Sequence, residues 1–156
     1  MYLHVQTKRA GKIKGEAKSP GHADDIELAG WRWGVSSGSA LGDSKATGRR
    51  SYEALTIVKR IDAATTPLLA ALASNDEVKE LVLAMRRAGD GQEDYFTIRL
   101  KAGRIAGMHH EADAEGHTTE TVTVAFTQVD VEYRVQRASG LRGASTSFSD
   151  TLPTGE

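Results

Sequence analysis

The sequence predicts a mainly β chain, a small β-barrel or sandwich of two packed antiparallel sheets with one short helix on its flank. Three observations carry this reading. Apolar residues recur at every second position over most of the chain, as half-buried strands require. Only one stretch, "TTPLLAALASN", carries helical punctuation. The length of 156 residues suits a single domain that buries roughly two thirds of the surface its unfolded form exposes.

Taken in order, short strands near "YLHVQ" and "KIKGEAK" precede a long one, "DIELAGWRWGVSS". The Gly- and Ser-rich run that follows, about residues 36–50, is too long for a tight hairpin and reads as a surface loop leading to "SYEALTIVKRID". The helix is expected over 66–74. Thr66 is its N-cap, Pro67 its first residue, Leu68, Leu69 and Leu72 its apolar stripe, and Asn75 its end. It spans about two turns and needs packing against a sheet to persist. Two further strands follow, in "VKELVLAMRRAG" and "EDYFTIRLKAGRIAGM", and the loop "HHEADAEGH" leads into "TVTVAFTQVDVEYRV". The domain spans 1–136, and residues 137–156 read as a polar tail whose composition favours disorder.

Two of these strands change phase midway. In the last one Val122, Val124 and Phe126 share a face, but Val129, Val131, Tyr133 and Val135 fall on the other. In the tryptophan strand Ile26 and Leu28 oppose Trp31, Trp33 and Val35. A one-residue slip moves an apolar series from core to solvent, so either a bulge restores a single buried face or the second series meets a neighbouring subunit.

Composition narrows the function. With 20 basic and 21 acidic residues the formal charge is −1, so no strong field draws the chain to nucleic acid or an anionic membrane. The absence of cysteine excludes disulfides and thiolate chemistry. No run matches the roughly 7 to 15 apolar residues of a secretory signal or the roughly 18 of a membrane span, so any export is expected by another route. The densest group of ligand-type residues, His109, His110, Glu111, Asp113, Glu115 and His117, has no recognised metal spacing and reads as a solvated hairpin loop. No GxSxG stands on a strand-to-helix turn, and no phosphate-loop motif occurs. Neither catalytic residues nor a cofactor are expected. Trp31 and Trp33 leave open a second reading, a monomeric β domain that binds a carbohydrate or other small ligand. The surplus apolar strand faces favour an assembly subunit.

Five segments, in order and spacing, resemble the haemolysin-coregulated protein family, the tube protein of the type VI secretion system: "IKGEAK", "GHADDIELAGWRWGVS", "LTIVKRID" followed by "TPLLAAL", "RRAGDGQEDYFTIRL" and "TVTVAFTQVDVEY". The resemblance covers residues 2–136, and "HHEADAEGH" and the tail inherit no role from it. It implies a phage tail-tube-like barrel forming homohexameric rings. These stack into a tube within a contractile sheath, below a spike protein, with effector proteins as cargo in the bore. It also implies synthesis in the cytoplasm and export through the secretion system itself. On this reading Ser39, Leu41, Asp43 and Lys45 in the long loop, with Val129, Val131 and Tyr133, are expected at subunit or ring contacts. His109, His110, Glu111, Asp113 and His117 are expected at the bore or a ring rim.

Overall fold

The computed structural model describes residues 1–38, 42, 50–88, 93–136 and 142–153. Its elements are β1 (Tyr2–Thr7), β2 (Gly11–Ile13), β3 (Ile26–Glu27), β4 (Gly30–Arg32), β5 (Val35–Ser37), β6 (Arg50–Tyr52), β7 (Leu55–Lys59), α1 (Thr65–Ala73), β8 (Glu77–Arg86), β9 (Asp94–Ala112), β10 (Thr118–Ala125), β11 (Gln128–Gln136) and β12 (Arg142–Thr151). The main sheet runs β2-β1-β8-β9-β10-β7-β4, with β3 beside β1 and the β11–β12 hairpin joined to β9. A second, two-stranded sheet holds β5 and β6. Every pairing is antiparallel. The fold is thus mainly β with two antiparallel sheets and one helix, although among the described residues the strand path does not close on itself.

Alternation gives each strand one buried face. Leu3 and Val5, Leu55 and Ile57, Leu81 and Leu83, Ile98 and Leu100, and Val122 and Val124 meet in one continuous core, which Leu68 of α1 enters from the side. At about 25 cal/mol per Å² of apolar surface, this burial is the main term opposing chain entropy.

The phase change has a geometric cause shared by two strands. β10 and β11 lie along the same edge of β9, with Ala125 opposite Arg104 and Gln128 opposite Lys101. Between these pairs the expected single strand "TVTVAFTQVDVEYRV" is interrupted at Phe126 and Thr127, and β9 turns at the same level through Ala102, whose φ is +51°. The parity shifts on both sides of the corner. On β9 the buried residues pass from Ile98 and Leu100 to Ile105, and across from them they pass from Val129 to Val124 and Val122. Gly103 sits in the corner because an added Cβ would lie 2.3 Å from the Ala125 carbonyl oxygen. Phe126 and Val129 are both buried, so the corner returns Val129 to the common core.

Three expectations require correction. "DIELAGWRWGVSS" is three short strands rather than one, since the chain steps at Leu28–Ala29 from pairing with β1 to pairing with β7. Thr66 is not the N-cap. The helix begins at Thr65 with Ala64 in the cap position and no side-chain cap bond, and Pro67 is its third residue. Asp62 Oδ1 accepts the Ala64 N–H at 2.9 Å, and Thr65 Oγ1 accepts that of Asp62 at 3.1 Å. Those two bonds order the preceding turn instead. At the other end Asn75, with φ +54°, lets the amides of Asn75 and Asp76 reach the carbonyls of Leu72 and Ala71, a Schellman closure. Lastly, the polar tail contains β12, which pairs with β11 from Gln128–Thr151 to Gln136–Arg142. Its side chains from Ala144 to Ser149 are exposed on both faces, so backbone bonds rather than burial hold it.

Candidate assembly surface

Beyond the corner, β11 carries its apolar series outward. Val129 is 1% exposed and belongs to the core, while Val131 is half-buried against it. Tyr133 is 40% exposed and Val135 45%. The register places Phe148 of β12 opposite Val131 and Thr146 opposite Tyr133, and residues directly paired across an antiparallel ladder share a face. Phe148, 50% exposed, therefore extends the same apolar surface as Tyr133 and Val135. A cluster of large apolar side chains on one sheet face marks an interaction surface more than scattered exposure does.

The long loop leaves from β5 and returns through β6. Ser39, Leu41, Asp43 and Lys45 lie outside the described residues, but the base of the loop is defined. Val35 pairs with Tyr52 and Ser37 with Arg50. The Tyr52 ring lies 5.8 Å from Trp33 and edge-on to Phe126 at 6.0 Å, and the Tyr52 hydroxyl donates to Asp150 Oδ2 at 2.7 Å. Arg50 binds the same carboxylate through Nε and Nη2. Trp31 stacks on Phe96 with centroids 6.0 Å apart and donates its indole N–H to Met85 Sδ at 3.1 Å. Both tryptophans thus use a ring face inside the fold, beside the core.

The histidine-rich segment is less of a loop than expected. His109, His110 and Glu111 are strand residues opposite Thr121, Glu120 and Thr119, so strand alternation points His109 and His110 to opposite faces. The turn proper is organised by Asp113, which accepts the amides of Glu115 and His117 at 2.9 Å and the His117 ring nitrogen at 3.0 Å. The His117 amide chiefly, with the other donors, holds the Asp113 carboxyl below its usual range. Among the described residues no group of three or more His, Cys, Asp or Glu is arranged to hold a metal ion.

Sequence reasoning missed two buried polar clusters. Lys59 and Glu120 face each other in register, both side chains 0% exposed, and form an ion pair. Lys59 Nζ also reaches Asp62 Oδ1 at 2.7 Å and Thr65 Oγ1 at 3.2 Å, while the Thr65 hydroxyl donates to Glu120 at 2.8 Å. The signal was present: Lys59 extends the buried series of Leu55 and Ile57, and Glu120 extends that of Val124 and Val122. In the second cluster buried His22 bridges Asp25 and Asp94 at 2.9 Å each and stacks on Tyr2, tying residues 14–25 to the start of β9.

Fold and surface together define a small antiparallel β domain with one flanking helix, whose exposed feature is an apolar sheet face rather than a group of reactive side chains. The family model described as "Type VI secretion system effector, Hcp" matches residues 2–133, and the chain belongs to this family of type VI secretion tube proteins. Protein hcp1 of Pseudomonas aeruginosa is 34% identical over 138 residues, covering 86% of this chain and 85% of its own. Among solved structures, a type six secretion system protein superposes with a TM-score of 0.85 at 18% identity, covering 97% of this chain and 95% of that one. Hcp1 from Salmonella typhimurium gives 0.76 at 24% identity, covering 97% and 94%. At these identities the two structures speak to fold.

Proposed function

We propose that this chain forms homohexameric rings that stack into the inner tube of a type VI secretion system. Contraction of the surrounding sheath would drive the tube, tipped by its spike, out of the cell with effector proteins in its bore. The protein is then made in the cytoplasm and exported by the apparatus it helps to build. Its work is mechanical and needs no catalytic residue, cofactor, nucleic acid or membrane insertion. The observation that carries this reading, beside family membership, is the outward apolar face of Tyr133, Val135 and Phe148, which a monomer would leave in water. A head-to-tail contact using such a face closes into a ring when the rotation per subunit fits. The long loop, with Ser39, Leu41, Asp43 and Lys45, serves as an arm to another subunit or ring. The end of the β9–β10 hairpin, with His109, His110, Glu111, Asp113 and His117, lies at the bore or a ring rim.

Light scattering and electron microscopy test this. Wild-type protein should give hexameric rings. Tyr133→Asp with Phe148→Asp should leave a folded monomer, because the charges are desolvated only when a neighbour docks. Val124→Asp should instead unfold the chain, since an unpaired charge in the core costs several kcal/mol. Retention of rings in the double variant would refute the assignment of this face.

A further inference from the structure

The β5–β6 ribbon continues the β4–β7 pair past an irregularity. Arg32 pairs with Thr56 and Val35 with Tyr52, so Trp33 and Gly34 on one strand stand against the longer stretch Glu53 to Leu55 on the other. Such a bulge bends and twists a ribbon, and beyond it β5 and β6 pair only with each other among the described residues. Two strands of three residues do not hold a direction by themselves. Something outside the ribbon must set its direction.

Asp150 of β12 is placed to do so. Its side chain is 17% exposed, and its carboxylate faces both ends of β6. Arg50 Nη2 donates to Oδ1 at 2.8 Å, Arg50 Nε donates to Oδ2, and the Tyr52 hydroxyl donates to Oδ2 at 2.7 Å. Arg50 Nη2 also donates to the Thr151 carbonyl at 3.0 Å. A guanidinium fork on a carboxylate fixes orientation as well as distance, and the Tyr52 hydroxyl supplies a second point not collinear with it. The bonds from Arg50 and then Tyr52 hold the Asp150 carboxyl below its ordinary range. Asp150 in turn is held in register by its pairing with Val129, a core residue. The bracket thus connects the ribbon to the rigid centre of the fold.

We infer that Asp150 is a positioning residue that sets the direction in which the β5–β6 ribbon leaves the main sheet, and so aims the arm at the neighbouring copy. The second half of this rests on the ring assembly proposed above. Asp150→Asn keeps the shape and removes the charge. Hydrogen exchange at the amides of Val35–Ser37 and Arg50–Tyr52 should then quicken by about tenfold or more, with β8 and β9 unchanged. Arg50→Ala should do the same, and the double variant should exchange less fast than the two single effects combined would give, because both variants break the shared Arg50–Asp150 contact. By electron microscopy the Asp150→Asn protein should form few or no tubes. Ribbon exchange unaltered in Asp150→Asn, exchange quickened throughout the core, or normal tubes despite a loosened ribbon would each overturn the inference. If wild-type protein forms no rings, the assembly reading fails instead, and the exchange comparison still decides whether Asp150 anchors the ribbon.

Discussion

Removing the carboxylate of Glu120 should destabilise this protein more than almost any other single polar change. Lys59 and Glu120 are both fully enclosed, and taking one partner from a buried pair strands the other at a cost of about 3–5 kcal/mol. Lys59 would retain Asp62 Oδ1 at 2.7 Å and the Arg60 carbonyl at 3.0 Å, which places Glu120→Ala near the lower end, about 3 kcal/mol. For a chain of this length that corresponds to a fall in Tm of roughly 6–12 °C. Urea unfolding followed by circular dichroism measures it, at one fixed protein concentration because assembly adds to apparent stability. The double variant Lys59→Met with Glu120→Leu removes both charges and their desolvation penalty, so it should recover most of the loss. A cost below about 1 kcal/mol for Glu120→Ala would refute the premise that Lys59 depends on its partner. A double variant less stable than Glu120→Ala would show that the pair itself, and not merely its completeness, stabilises the fold.

Gly103→Ala should weaken the corner between β9 and β10–β11 by about 1–3 kcal/mol or more, since the new methyl meets the Ala125 carbonyl at 2.3 Å and backbone must move; an unshifted urea midpoint would show that the corner yields. Burial pushes the Asp25 carboxyl up, but bonds from His22, Lys12 and His4 outweigh it and the net direction is down from 3.8. A lowered folded value means the contribution is complete above the unfolded value and lost as pH falls through the folded one. Stability should therefore decline below about pH 4, and Asp25→Asn should flatten that slope in acid titrations followed by circular dichroism.

The alternations around Leu3, Leu55, Leu81 and Val122, the helix near Pro67 and the family motifs were all legible in the sequence. Each of these is local, because a side chain's burial repeats with the period of its own backbone. The sequence even displayed the phase change between Phe126 and Val129, but not its cause. That needed the register that sets Lys101 and Arg104 of β9 against Gln128 and Ala125, so that two strands turn at one corner. β12 left no mark because its side chains from Ala144 to Ser149 are exposed on both faces, and a strand paired mainly through its backbone carries no hydrophobic period. For the same reason the tertiary structure alone decided the partners of charge. Lys59 meets Glu120, and Arg50 meets Asp150, across long stretches of chain. Periodicity tells which face of a strand is buried, but which strand lies beside it is set by non-local hydrogen bonds that any sequence of side chains can accompany.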